Sequence, residues 1–543
     1  MDKSTRPATP TRWILPSLLA GAALFVGAST ASGASLMESV QSALDTNPDV
    51  GIVKADRHAV DQELRQARGG YLPQVDVRAA AGPEYTQNSR FRAAGRDSDK
   101  TLFRSEAQLT LSQMLFDGYS TPAEVARQRA RVDSAAYRVS EAAEFVGLNA
   151  IEAHYEVLRN QEIVSLNEAN VRQHEGYLGQ VGELERSGQG EISQVRQTEA
   201  RLGRSRESLA VARGQLADAI ANYQRIVGVR PGKLDDPEAP PAALPASAEA
   251  ASELASYSNP TVKISASDVD VAEAELKAAK AGYYPNLDLQ LGASAGDNLD
   301  GVEQDVYDAS ALVVMRYNLF RGGADVALER EAFHRLNEAR ASLLNARRDA
   351  EQEARISYNA LETARARAST LRDQAEAQRR TRDAYASQFD IGQRELLDLL
   401  DSENEYFLDR VSLVTADYTE EFAAYRVLAV IGELLDALDV GKPREAIDLY
   451  RRPGDVQTPE RIENKSDPLR APKAEPRYLR QEAAGEPPAN DRDAGPHVGR
   501  EGEAPKRGVF LEPEASSAGG RRTLFDYFRS PANPPAPAAP DAG

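Results

Sequence analysis

Much of this chain is written twice. Asn47-Pro48 recurs as Asn259-Pro260, and Tyr71-Leu-Pro-Gln-Val-Asp-Val77 recurs as Tyr283-Tyr-Pro-Asn-Leu-Asp-Leu289, both 212 positions on (259 − 47 and 283 − 71). Later landmarks pair at a separation of 204: Leu115-Phe-Asp-Gly118 with Leu319-Phe-Arg-Gly322, Gly188-Gln189 with Gly392-Gln393, and Gly228 with Gly432. The eight-residue difference falls between residues 77 and 115, where a loop can change length at little cost. A chain with this period builds two copies of one unit, here over residues 34–230 and 248–438 with a linker at 231–247.

Each copy opens with a helical pattern, expected over 36–68 and 248–280, and then meets a Gly-Tyr-x-Pro break where proline stops the helix. The segments that follow alternate apolar and polar residues. Val75, Val77, Ala79 and Ala81 flank Asp76 and Arg78, while Ala107, Leu109 and Leu111 flank Gln108 and Thr110. Leu287, Leu289 and Leu291 flank Asp288 and Gln290, and Ala309, Ala311, Val313 and Met315 answer Asp308, Ser310 and Arg316. Strands are therefore expected near 71–82, 102–116, 283–294 and 305–320. Runs of about ten residues with period two suit transmembrane β-strands, and Tyr71, Phe116, Tyr283, Tyr284 and Phe320 at their ends suit an interfacial girdle. A small soluble sheet with one wet face has the same pattern. Number separates the two readings: four strands cannot close a barrel, and open edges cannot sit in lipid. The membrane reading thus requires an oligomer, and a trimer would supply about twelve strands.

Two very long helical runs follow, at 122–187 and 324–391, each about 100 Å at the helical rise, with return helices at 191–227 and 395–431. Val132, Ala136, Val139, Ala143, Val146, Ala150, Ala153 and Val157 recur at alternating steps of four and three, the spacing of a helix-packing seam. Leu148, Ile151, Tyr155 and Leu158 form a second stripe, so this helix can pack on both flanks, as helices closed into a tube must. A coiled-coil stalk explains the first stripe but not the strands. Gly188 and Gly392 mark the hairpin tips. Just past the second tip, Asp398 and Asp401 stand three residues apart on one helix face. Repeated around a symmetry axis, that face would make rings of negative charge, a known way to select cations.

Composition narrows the function. The net charge of −19, with 84 acidic against 65 basic side chains, argues against nucleic acid as a partner. With no cysteine there is no disulfide, thiolate metal site, cysteine nucleophile or lipid anchor on a terminal Cys. His58, His154, His174, His334 and His497 are scattered without ligand spacing, so no catalytic, cofactor or metal site is assigned. Lys3, Arg6 and Arg12 precede an apolar run at 13–26 and small residues at 28–34, so residues 1–33 read as a secretory signal. No other stretch reaches the ~18 apolar residues of a spanning helix, which leaves an exported protein, soluble or inserted as a β-barrel. From 439 to 543 periodicity gives way to Pro, Arg, Glu, Ala and Gly, the composition of a disordered tail. One apolar island at 523–529 reads as tail without a partner, a docking peptide being the alternative.

On the doubled Gly-Tyr-x-Pro, Leu-Phe-x-Gly and Gly-Gln landmarks, the chain resembles the TolC-like outer membrane channel family over roughly residues 34–438. The resemblance implies a mainly α, mixed fold: a homotrimer sharing one twelve-stranded transmembrane β-barrel in the outer membrane and one α-helical barrel across the periplasm. It implies a passive channel that opens when a periplasmic adaptor and an inner-membrane transporter dock. It also implies that Asp398 and Asp401 form the acidic entrance rings and that Arg394 is the gate arginine. Phe389 stands where the family's best-known gate has a tyrosine, and Ser193 and Gln194 where it has a threonine and an aspartate, so Arg394 would meet a neutral amide. Residues 389–407 look most like members serving type I protein secretion. Small-molecule efflux is the alternative cargo, and a pore-less periplasmic scaffold the alternative class.

Overall fold

The computed structural model describes residues 34–87, 95, 99–236 and 244–450. The expected signal at 1–33 and the apolar island at 523–529 lie outside the described residues. The first repeat runs α1 (Leu36–Thr46), α2 (Pro48–Gly69), β1 (Gln74–Gln87), β2 (Asp99–Phe116), α3 (Ser120–Arg186) and α4 (Ile192–Val227). The second runs α5 (Ala248–Ser258), α6 (Pro260–Ala279), β3 (Asn286–Asp297), β4 (Asp305–Arg316), α7 (Ala324–Asp390) and α8 (Leu396–Ile431), and a short α9 (Leu434–Ala437) follows.

Each opening helix, expected as one piece, is two. Asn47 and Asn259 leave the helical region with ψ of 126° and 130°, as the residue before a proline tends to. Their side-chain oxygens then cap the next helix, accepting the Asp49 N–H at 2.9 Å and the Thr261 N–H at 2.8 Å, with proline in the first helical position. The same corners catch the ends of the return helices. Thr46 and Ser258 donate to the carbonyls of Val227 and Ile431 at 3.0 and 2.6 Å. Asn47 and Asn259 donate to those of Ile226 and Val430 at 3.4 and 2.7 Å. These contacts keep the 212 and 204 spacings of the sequence repeat. At each catch the return helix ends on a glycine in the left-handed region, Gly228 at φ 85° and Gly432 at φ 78°. A Cβ on Gly228 would stand 2.4 Å from the Thr46 hydroxyl.

The strands form one antiparallel sheet in the order β1-β2-β3-β4. Its register places Val77, Leu109, Ala293 and Ala309 in one row, and Val75, Leu111, Leu291 and Ala311 in another. Asp76, Thr110, Gly292 and Ser310 lie between them, and Arg78, Gln108, Ser294 and Asp308 lie beyond the first; both rows share the opposite face by the pleat. The first hairpin is longer than its pattern indicated, β1 reaching Gln87 and β2 starting at Asp99, whereas β4 stops at Arg316. Val77 and Val313 stay 75% and 65% exposed, an apolar surface the single chain does not cover. Among the described residues no helix is long and apolar enough to cross a membrane.

The long helix α3 is the axis of the protomer. Every seam residue from Val132 to Val157 is at most 1% exposed, because α1, α2, α4, α6 and α8 surround it. Near its middle, Gly147 lets α9 approach, since a Cβ there would meet Leu435 at 3.1 Å. One turn earlier Glu144 is fully buried and accepts the Leu434 N–H at 3.1 Å. Burial drives its carboxyl up to about 8.

Beyond α9 the chain does not become tail at 439. It runs along α3 as far as Tyr450, the Asp133 carboxylate accepting the N–H groups of Leu449 and Tyr450 at 3.0 and 3.2 Å. The Tyr137 hydroxyl donates to Asp448 at 2.9 Å, and Arg68 donates to the Tyr450 hydroxyl at 3.2 Å. Composition hides this segment because polar anchors, not apolar periodicity, hold it.

Two outcomes follow. Gly228→Ala combines a left-handed φ with the Thr46 clash and costs about 2 kcal/mol or more of thermal stability. The raised Glu144 carboxyl makes the folded state lose stability as pH climbs from the ordinary carboxylate range towards about 8, since the unfolded chain ionises first. In thermal melts, Glu144→Gln therefore gains on the parent protein between about pH 5 and about pH 9.

Candidate functional site: the helix-hairpin tips

Both long hairpins turn in the same way. At the first tip Gly188 takes φ 72°, and the N–H groups of Gln189 and Gly190 bond the Leu184 carbonyl at 2.9 and 3.0 Å. At the second, Gly392 takes φ 74°, and the Gln393 N–H bonds the Gln388 carbonyl at 2.8 Å. These are left-handed helix ends, for which glycine is the natural residue. The tips do not hang free of each other. Tyr177 and Val181 of α3 pack with Leu396, Leu399 and Leu400 of α8 in a closed apolar cluster, with Phe389, Tyr385 and Val195 against its margin.

Phe389 is thus half-buried packing. Arg394 lies against its own hairpin: it donates to the Gln388 side-chain oxygen at 3.1 Å and to Asp398 at 3.2 Å, with its guanidinium 3.9 Å from the centre of the Tyr385 ring. It does meet a neutral amide, but that of Gln388. Ser193 and Gln194 serve the start of α4 instead. The Ser193 hydroxyl donates to Glu191 at 2.9 Å, and the Gln194 side chain accepts the Glu191 N–H at 3.4 Å. Within one protomer the structure brings Arg394 to Asp398, and not to Ser193 or Gln194.

The two aspartates share an exposed face, and both carry an arginine. Asp398 has Arg394, and Asp401 has Arg201 of α4 at 2.5 Å, a bond that crosses from one hairpin to the other. A second crossing escaped the sequence reading. Glu403, 5% exposed, accepts from the Tyr177 hydroxyl and from Arg382, both at 3.3 Å, and Arg382 lies 4.7 Å from the Tyr406 ring centre. Burial, with the Glu403 charge adding to it, pushes the Tyr177 hydroxyl up to about 12, so it keeps its proton and donates. The signal for Glu403 was its helical register with Leu396, Leu399 and Leu400, which puts a carboxylate on the apolar stripe.

Elsewhere, Ser39 Oγ lies 3.0 Å from His154 Nδ1, with His154 Nε2 3.1 Å from the Asp235 carbonyl and the Tyr223 hydroxyl 2.8 Å from Ser39. Spacing alone would suit a nucleophile and its base. Yet Ser39, His154 and Tyr223 are each at most 1% exposed, so the group ties α1, α3 and α4 together.

A repeated unit that joins a sheet, apolar on one face and polar on the other, to helices of this length is the protomer of an outer-membrane duct. The chain belongs to the outer membrane efflux protein family, matching it over residues 39–229 and 251–433. It is 26% identical to the outer membrane efflux protein BepC of Brucella suis over 77% of this chain and 90% of that protein. It is 25% identical to the proteases secretion protein PrtF of Dickeya chrysanthemi over 73% and 87%. Its fold matches the CmeC outer membrane channel of Campylobacter jejuni with a TM-score of 0.62 at 15% identity, covering 74% of this chain and 86% of that one. The protein is accordingly an outer-membrane channel component whose helices extend into the periplasm.

The Arg382–Glu403 pair, whose carboxylate is buried, and the exposed Arg380–Glu376 pair start from neighbouring positions of α7 and separate burial from charge. Arg382→Ala strands a buried carboxylate and lowers the local opening energy at the tip by about 3 kcal/mol. Arg380→Ala costs less than about 1 kcal/mol. Hydrogen exchange of the α8 amides around Leu399 reads both.

Proposed function

We propose that three copies of this chain close one duct and that it serves type I protein secretion, handing an unfolded polypeptide from an ABC transporter and its periplasmic adaptor to the outside. The observation that carries the assembly is the sheet: four strands with two open edges, β1 and β4, cannot remain in lipid unless neighbouring copies pair them. The secretion reading draws support from the residues around the second tip, 389–407, and from the likeness to PrtF. The likeness to BepC favours a second reading, efflux of small molecules through the same duct.

In this reading the hairpin tips are the periplasmic entrance, with the second hairpin (α7 and α8) as the inner one and the first (α3 and α4) as the outer. Asp398 and Asp401 supply its acidic rings, Gly188 and Gly392 its turns, and Arg394, whose bonds to Asp398 and Gln388 stay within its own hairpin, is the gate arginine that ties that hairpin to a neighbouring copy. Arg394→Ala in a planar bilayer then raises the conductance of the resting channel, and an unchanged conductance means that Arg394 holds nothing shut. Cargo is decided by deleting the gene in its native host. The secretion reading expects at least one polypeptide to vanish from the culture medium while tolerance to dyes and detergents holds. An intact secretome with collapsed tolerance transfers the assignment to efflux.

A further inference from the structure

The two aspartates at the entrance are neutralised in different ways, and the difference has a functional consequence. Asp398 is held by Arg394, four residues before it, so that pair travels with the inner hairpin whatever the hairpin does. Asp401 is held by Arg201, which stands on the outer hairpin. We propose that Arg201 makes the charge of the entrance depend on its state: it masks Asp401 while the two hairpins lie together and exposes it when they part. This rests on the reading of the tips as the entrance.

The geometry is asymmetric in the way such a device needs. The Arg201 side chain is 23% exposed and that of Asp401 is 51% exposed. An ion pair this open contributes little to holding two helices together. The holding falls to the closed apolar cluster of Tyr177, Val181, Leu396, Leu399 and Leu400, and to the buried Glu403 bonded by Tyr177 and Arg382. What the Arg201 pair controls is the field. A carboxylate with a guanidinium at 2.5 Å presents little net charge to an ion approaching along the axis. Parting the hairpins until Arg201 stands beyond the screening length of about 10 Å leaves Asp401 bare. Repeated by symmetry, a bare Asp401 on each copy concentrates divalent cations, and the cationic side chains of an extended polypeptide, at the mouth once it opens. Arg201 is thus a specificity-determining residue that acts through Asp401.

The test is block of the resting channel, with its hairpins together, in planar bilayers by magnesium ion added on the entrance side. Arg201→Gln is compared with the parent protein, with Arg201→Lys, and with Arg201→Gln/Asp401→Asn. Arg201→Gln is expected to be blocked at about three- to tenfold lower magnesium than the parent, the gap shrinking in high salt. Arg201→Lys should retain the parental block, and the double variant should lose the gain. Equal block in the parent and in Arg201→Gln, with both oligomers intact by size exclusion, overturns the proposal while leaving the duct standing. Absence of conductance steps in the parent would remove the duct and this proposal together.

Discussion

Hydrocarbon offers no partner to a backbone N–H or C=O, and the rest of this architecture answers to that constraint. A sheet of four strands satisfies its interior and leaves β1 and β4 bare. Its apolar rows, centred on Val77, Leu109, Ala293 and Ala309, make it useless as a soluble surface. Neighbouring copies resolve both problems at once. The helices inherit the consequence: once the sheets curve round a common axis, the hairpins below them are set side by side, and their uncovered residues must meet.

The two repeats have divided that work unequally. In the first, the seam of α3 from Val132 to Val157 is enclosed, and the Ser39–His154–Tyr223 network pins it to α1 and α4. At the matching positions of the second repeat stand Ala251, Tyr358 and Val427, which cannot form that network. The second long helix, α7, keeps Leu328, Leu344 and Ile356 exposed, at 49%, 40% and 46%. One repeat supplies the interior of the protomer, and the other presents surface to something outside it. The corners at Asn47 and Asn259 are unaffected by this divergence and make the same bonds in both halves.

Most of the fold was legible because its signals are local and periodic. The seam from Val132 to Val157 gave the buried side of α3 residue by residue, and the alternation around Val77 and Leu109 gave the faces of the sheet. The doubled glycines gave the tips. Less was legible where a contact joins residues far apart in sequence. The asparagine–proline corners served as markers of repetition, and their power to cut a helix in two was passed over. The strap ending at Tyr450 is held by Asp133 and Tyr137, more than three hundred residues earlier, so composition could not reveal it. At the second hairpin tip the aspartates were named, but Arg201 and Tyr177 were not. Each sits on a different hairpin from its carboxylate, and no spacing within one helix records that.

The most direct test of a shared barrel uses the lack of native cysteine. Ala79→Cys on β1 and Ala311→Cys on β4 in one chain place a thiol on each open edge of the sheet. Treating outer membranes with a short bifunctional thiol reagent and separating the products under denaturing conditions counts the copies joined edge to edge. Closure by three copies predicts a ladder of one, two and three chains that ends there, with either single-cysteine variant giving no ladder. A ladder that stops at two, or that climbs past three, would contradict it.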